Sequence, residues 1–219
     1  MNIKGAVFDA DGTLLDSLSI WDTIASDYLK DNGFVPEEGL DQKIAAWSID
    51  ETVTYFQTAY GLSKDSRTIR REIHERLCYF YQNGVKLKGG VKEVLQDLND
   101  RRVKMIVATG SEESLIRSAL ENNGVMDLFK GIVSCDAYGP KTDGKIYTAA
   151  LQLLGTDVHE TAVFEDELGA LKTAKNMDFV TIGVYDRHQK EQTKIRETSD
   201  LYLKDWRMPV FHMSTNPAP

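Results

Sequence analysis

A chain of 219 residues is too long for a minimal domain and too short for two large ones, which favours one core carrying an accessory domain. Its 42% hydrophobic and 27% charged residues are those of a folded globular protein and exclude a disordered or fibrous chain. The formal net charge of -8 disfavours nucleic acid and anionic membrane surfaces as partners, so any anionic ligand must be met by positive charge concentrated locally.

Lys4-Gly-Ala-Val-Phe8 is a short apolar run ending in Asp9-Ala-Asp-Gly, the pattern of a buried strand entering a polar turn. From Ser17 to Val85 strand signals are absent. Instead, Ile20, Ile24 and Tyr28 form one helical stripe and Ile69, Ile73, Leu77 and Phe80 another, with Gly33, Gly61 and Gly84 at the expected helix ends. Strand signals resume at Val103–Ala108, Gly131–Ser134, Thr161–Phe164 and Val180–Val184. Helical spacing separates them, as in Val91, Val94, Leu95 and Leu98, or Leu115, Ile116, Ala119 and Leu120, with Asn123-Gly124 as a C-cap.

This alternation predicts an α/β fold: a Rossmann-like parallel sheet core of residues 1–16 and 86–212, interrupted by an inserted all-α domain over 17–85 and followed by a polar tail over 213–219. Cys78 and Cys135 lack metal-ligand spacing and are expected as buried small hydrophobes in a reducing compartment. With neither a membrane-length apolar run nor a signal-peptide pattern, the chain is expected in the cytoplasm, as a monomer.

Asp9 and Asp11 sit where the chain leaves its first strand, and in an open α/β sheet ligands bind at that end. Asp-x-Asp-Gly is also a common tight turn, or the start of a calcium loop. An EF-hand loop starting at Asp9 would need an acidic fifth residue and a Glu at the twelfth, but these are Thr13 and Ile20. A turn alone leaves the buried-strand context unexplained.

Asp9-Ala-Asp-Gly-Thr-Leu-Leu-Asp-Ser17 resembles the first motif of the haloacid dehalogenase superfamily. The superfamily's other motifs have counterparts in order: Thr109 in Val107-Ala-Thr-Gly-Ser111, Lys141 in Gly139-Pro-Lys-Thr-Asp-Gly-Lys-Ile-Tyr147, and the acidic pair in Val163-Phe-Glu-Asp166. Each of the last three is weak alone, and four in order are specific. The helical insert resembles the α-helical cap of the β-phosphoglucomutase and phosphoglycolate-phosphatase branch.

The resemblance implies a phosphatase of a small phosphorylated metabolite that uses Mg²⁺ and an aspartyl-phosphate intermediate. Asp9 is then the nucleophile and Asp11 the general acid and base. A free Asp has a pKa near 3.9, so keeping Asp11 protonated near pH 7 costs about 4 kcal/mol, which burial under a closed cap helps to supply. The metal ligands are Asp9, the backbone carbonyl of Asp11, Asp166, and Glu165 directly or through a water. Thr109, the Gly110 N–H at the start of a helix, and Lys141 cradle the phosphoryl group.

Three departures from the pattern stand out. Thr142 follows Lys141 where Pro is frequent, and Lys145 competes for the lysine role, although the spacing of Lys141 to Tyr147 favours Lys141. Gly110 is often Ser or Thr. Lys88-Gly-Gly90 replaces Lys-Pro-Gly.

In the helical insert, Trp21, Asp22, Trp47 and Tyr55 are candidates to line a substrate cavity, although aromatics at helical spacing more often pack a core. His74, among Arg70, Arg71, Glu72, Glu75 and Arg76, reads as part of a solvated face. Ala45-Ala-Trp-Ser-Ile-Asp50 lacks the arginine of sugar-phosphate mutases, which favours hydrolysis over a β-phosphoglucomutase-like reaction. Haloacid dehalogenation needs neither the second aspartate nor a metal. Receiver-type signalling domains carry their acidic residues in a different order, and a non-catalytic phosphometabolite sensor is the reading from a different class.

Overall fold

The computed structural model describes residues 3–44 and 47–208. The expected tail at 213–219 and the Ala45-Ala46 part of the mutase-loop region lie outside them. The chain divides into two compact units, one formed up to Ser17 and from Val85 onward, the other by Leu18–Gly84.

β1 (Gly5–Phe8) is buried along its whole length. The helical unit opens with a 3-10 turn, Leu18–Asp22, and continues through α1 (Ile24–Asp31), α2 (Leu40–Ile44), α3 (Ile49–Ala59) and α4 (Ser66–Asn83). Its core is Tyr28 and Leu29 of α1, Leu40 of α2, Val53 and Phe56 of α3, and Ile69 and Ile73 of α4. Local capping sets the starts of α3 and α4. Ser48 and Glu51 form a reciprocal capping box on α3, and Asp65 accepts from Thr68 N at 3.0 Å on α4.

The expected Ile20-Ile24-Tyr28 stripe is not one helix, because Ile20 belongs to the 3-10 turn. Asp41 fixes the start of α1 by accepting from Ala25 N at 2.9 Å and Ser26 N at 3.3 Å, a cap supplied from α2 that no local pattern announces. In α4, Ile69 and Ile73 are buried as expected, while Leu77 and Phe80 are only half-buried.

The other unit continues with α5 (Val91–Asp100), β2 (Lys104–Thr109), α6 (Glu113–Asn122), β3 (Phe129–Ser134), α7 (Cys135–Tyr138) and α8 (Lys145–Leu154). It ends with β4 (Thr161–Glu165), α9 (Leu168–Asn176), β5 (Val180–Val184), α10 (Gln192–Thr198) and β6 (Leu201–Leu203). The six strands form one parallel sheet in the order β3-β2-β1-β4-β5-β6, with Phe8 of β1 opposite Val107 and Phe164. The fold is thus α/β with helices covering a parallel sheet, and the expected strands reappear with ends shifted by a residue or two. β6 was not expected, since three residues are too few to show a period.

One face of the sheet packs Val7, Ile106 and Val163 against Ile146, Tyr147 and Ala150 of α8. Elsewhere Phe8 stacks on Phe164 at 4.5 Å between ring centroids, and Phe164 on Trp206 at 5.4 Å. Trp206 Nε1 donates to Thr13 O at 3.1 Å, which ties the far end of the chain to the β1 loop. Gly90 has φ +94, and a Cβ there would lie 2.8 Å from Arg207 N, so the second glycine of Lys88-Gly-Gly90 is required by close backbone approach.

The two ends of the insertion run side by side within the sheet unit. Asp16 N donates to Lys86 O at 3.0 Å and Lys88 N to Leu14 O at 2.8 Å, so the insert leaves the sheet's pairing intact. Cys78 and Cys135 are not disulfide-bonded and are half-buried rather than buried. Among the described residues, no helix is long and apolar enough to cross a membrane.

Candidate active site

In a parallel sheet every strand ends at the same edge, and β2 and β4 flank β1. Asp9 directly follows β1, Thr109 ends β2, Glu165 ends β4 and Asp166 follows it. Three motifs distant in sequence therefore meet at one edge. Lys141 comes from the 3-10 turn Lys141–Asp143 ahead of α8.

Asp9, Glu165 and Asp166 are buried, and each offers a carboxylate oxygen within 4.8 Å of the others. Lys141 Nζ pairs with Asp9 Oδ1 and, at 2.8 Å, with Glu165 Oε2. Asp9 Oδ2 is buried without a hydrogen-bond partner. Burial and repulsion from Asp9 push Asp166 up to about 7 and Glu165 well above the usual carboxylate range. Burial alone would lower Lys141, but the charges of Asp9 and Glu165 outweigh it and hold the ammonium well above its ordinary pKa.

Three carboxylates and one ammonium leave a negative excess in a buried place, which is costly without further positive charge. An all-oxygen donor set with an unpartnered carboxylate oxygen fits a hard divalent cation and does not fit a thiolate-seeking metal.

The supporting contacts come from several loops. Gly12, at φ +81, lets the chain turn sharply after Asp11. Asp11 accepts from Ser17 Oγ and from Ser111 Oγ, both at 2.6 Å. Asp166 accepts from Thr13 Oγ1 at 3.0 Å and from Gln189 Nε2 at 2.9 Å. Lys88 Nζ ties the β1 loop to the loop after β5, donating to Gly12 O, to Tyr185 O at 2.7 Å and to Asp186 Oδ2 at 2.8 Å.

Of the two candidate lysines, Lys141 reaches the carboxylates and Lys145 is exposed on the first turn of α8. Thr109 is buried, and its Oγ1 accepts from Ser111 N at 3.0 Å. Gly110 corrects one expectation: its N–H is not at a helix start. Residues 110–112 run as a loop, with Ser111 N engaged by Thr109, and α6 begins only at Glu113.

Ser17 and Ser111 stand inside the quoted motifs, and their hydroxyls next to a motif aspartate were the available signal for the contact with Asp11. Gln189 and Asp186 carried none, and Lys88, although quoted within Lys88-Gly-Gly90, gave no sign of its partner Asp186. In the helical unit, Trp21 and Trp47 line a cavity. Asp22 is exposed, as is His74. Tyr55 packs edge-on against Trp47 at 5.3 Å and donates to Glu37 Oε1 at 2.8 Å, a packing and surface role.

The sequence profile of the haloacid dehalogenase-like hydrolases matches residues 6–184. The chain belongs to this family. Among curated relatives of this haloacid dehalogenase-like hydrolase, the phosphorylated carbohydrates phosphatase of Thermotoga maritima is 24% identical over 178 residues, 80% of this chain and 81% of its own length. The phosphoglycolate phosphatase of Vibrio parahaemolyticus is 28% identical over 153 residues, 64% of each chain.

A provisionally named β-phosphoglucomutase structure from Thermotoga maritima superposes with a TM-score of 0.82 at 21% identity, covering 93% of this chain and 95% of the other. CbbY from Rhodobacter sphaeroides, solved in complex with phosphate, has a TM-score of 0.71 at 18% identity, covering 93% and 95%. At such identities these structures speak for the fold.

Proposed function

We propose that this hydrolase is a magnesium-dependent phosphatase of a small phosphorylated metabolite, acting through an aspartyl-phosphate on Asp9. The observation that carries the reading is Asp9 Oδ2, a buried carboxylate oxygen without a hydrogen-bond partner beside two further carboxylates and a lysine.

In this reading Asp9 attacks phosphorus as the ester oxygen departs, so one difficult displacement becomes two easier ones. Asp11, held by Ser17 and Ser111, gives a proton to the leaving oxygen and later takes one from the water that releases phosphate. Lys141 balances the charge of Asp9 and Glu165 and attracts a phosphoryl oxygen, which Thr109 and the Gly110 N–H help to orient. Mg²⁺, when bound, neutralises phosphoryl charge. Its ligands would be Asp9, the backbone carbonyl of Asp11, Asp166, and Glu165 directly or through a water. The helical unit is read as the cap that selects the substrate.

The names of the Thermotoga maritima and Vibrio parahaemolyticus relatives support a phosphate ester of a small metabolite as substrate. A phosphomutase is the second reading, favoured by the structural likeness to a protein provisionally named β-phosphoglucomutase.

A panel of phosphorylated metabolites incubated with Mg²⁺, with released phosphate and isomerised product both measured, separates the two. Phosphate release that is abolished by Asp9→Asn is the expected result. Undiminished release in that variant contradicts the proposed nucleophile.

A further inference from the structure

Asp166 is gripped from two sides, and both grips lead back to one lysine. Its Oδ1 accepts from Thr13 Oγ1 at 3.0 Å and its Oδ2 from Gln189 Nε2 at 2.9 Å. Thr13 directly follows Gly12, whose carbonyl accepts from Lys88 Nζ. Gln189 lies in the turn that starts at Asp186, where His188 N donates to Asp186 Oδ1 at 2.8 Å and Gln189 N to Asp186 O at 3.2 Å. Asp186 Oδ2 in turn accepts from Lys88 Nζ at 2.8 Å, and Tyr185 O accepts from the same nitrogen at 2.7 Å.

An ammonium has three protons, and here all three are committed, one to the β1 loop and two to the loop after β5. The pair is enclosed: the Lys88 side chain is 17% exposed and that of Asp186 2%. Two charges in such a place give up hydration that their attraction rarely more than repays, and well-packed apolar residues often hold a fold as well. Stability alone is therefore a weak reason for a charged pair here. What apolar side chains could not do is fix the direction of a carbonyl.

That carbonyl belongs to the most pliable residue of the turn. Gly12, at φ +81, has no side chain to hold it, and its N–H donates to Leu15 O at 3.0 Å. The peptide plane that carries this N–H also carries the Asp11 carbonyl, pointing the opposite way. With Lys88 on the Gly12 carbonyl, the planes on both sides of the glycine are fixed, and so are the Asp11 carbonyl before it and Thr13 after it.

We propose that Lys88, paired with Asp186, is a positioning residue for the divalent-cation site: it spaces the two arms that orient the Asp166 carboxylate and holds the Asp11 carbonyl in place. It acts through Gly12 and Asp186, without touching the substrate. This role rests on the magnesium reading given above.

Lys88→Met alone leaves Asp186 buried and unpaired and would damage the fold whatever the role of the lysine. The informative variant combines Lys88→Met with Asp186→Asn, which removes both charges and keeps an acceptor for His188 N. Its denaturant midpoint should stay near that of the wild type, while its Mg²⁺ affinity, measured by calorimetry on the full chain without substrate, falls roughly 10–100-fold. Phosphate release should need correspondingly more Mg²⁺ to reach half its maximum, with KM for the ester at saturating Mg²⁺ changed by less than about twofold. Adding Gln189→Ala should weaken Mg²⁺ binding less in this background than in the wild type, because that arm is already loose.

Wild-type Mg²⁺ affinity in the neutral-pair variant overturns the positioning role and leaves the magnesium reading standing. An equal effect of Gln189→Ala in both backgrounds also overturns it. A midpoint that collapses together with the affinity makes the pair a structural support and counts against the role. A wild type that binds no Mg²⁺, tested first, overturns the magnesium reading and the role with it.

Discussion

The two units of the chain are built on opposite rules. In the sheet unit the reactive groups are charged, buried or half-buried, and held by hydrogen bonds or ion pairs: Asp11 by Ser17 and Ser111, Asp166 by Thr13 and Gln189, Asp9 and Glu165 by Lys141. In the helical unit α3 and α4 start on local caps, the core is small and apolar, and the cavity is lined largely by indole and aliphatic side chains. Parallel strands suit chemistry that must not move, because topology alone brings β1, β2 and β4 to a common edge. Short helices on local caps suit a surface whose contacts can vary without disturbing that edge.

The largest expected effect tests this contrast in stability. A core the size of the helical unit's supplies only about 3–5 kcal/mol. Phe56→Ala, costing roughly 3–5 kcal/mol, should therefore remove hydrogen-exchange protection throughout Leu18–Gly84 and leave β1, β2 and β4 protected. Equal loss in both units would break the comparison.

Lys141→Ala addresses the charged site. It leaves Asp9 and Glu165 uncompensated and should lower phosphate release by about 10²–10³-fold, with Lys141→Arg restoring only part of it because a planar guanidinium cannot occupy the point-charge position.

Gln189→Ala should weaken Mg²⁺ binding, measured by calorimetry, by roughly 10–100-fold, because Asp166 loses a donor that orients it. Unaltered affinity would mean that Thr13 alone fixes Asp166. The smallest effect is expected for Asp65→Ala, about 1 kcal/mol from the lost cap on α4, seen as a lower denaturant midpoint for the helical unit and unchanged phosphate release.

What could be read in the sequence follows the same division. Strands buried on both faces are continuous apolar runs, so β1, β2, β4 and β5 were visible, and the motif residues at their ends came with them. β6 was not visible because Leu201–Leu203 spans no more than one alternation. The start of α1 was misplaced because its cap, Asp41, lies in another helix.

Asp9, Asp11, Thr109, Lys141, Glu165 and Asp166 were legible because strand ends and short motifs are local features. Gln189 was not, since a lone Gln on a loop carries no spacing signal, and the tie of Lys88 to Asp186 was not, since the quoted Lys88-Gly-Gly90 says nothing of a partner so distant in the chain.

The most direct measurement is mass spectrometry of the full chain, quenched in acid after brief incubation with Mg²⁺ and a phosphate ester that it turns over. A single added phosphoryl group on the peptide containing Asp9, absent in Asp9→Asn and in samples treated with a chelator, is the predicted result. Turnover with no adduct on that peptide, or an adduct that persists in Asp9→Asn, would contradict Asp9 as the nucleophile.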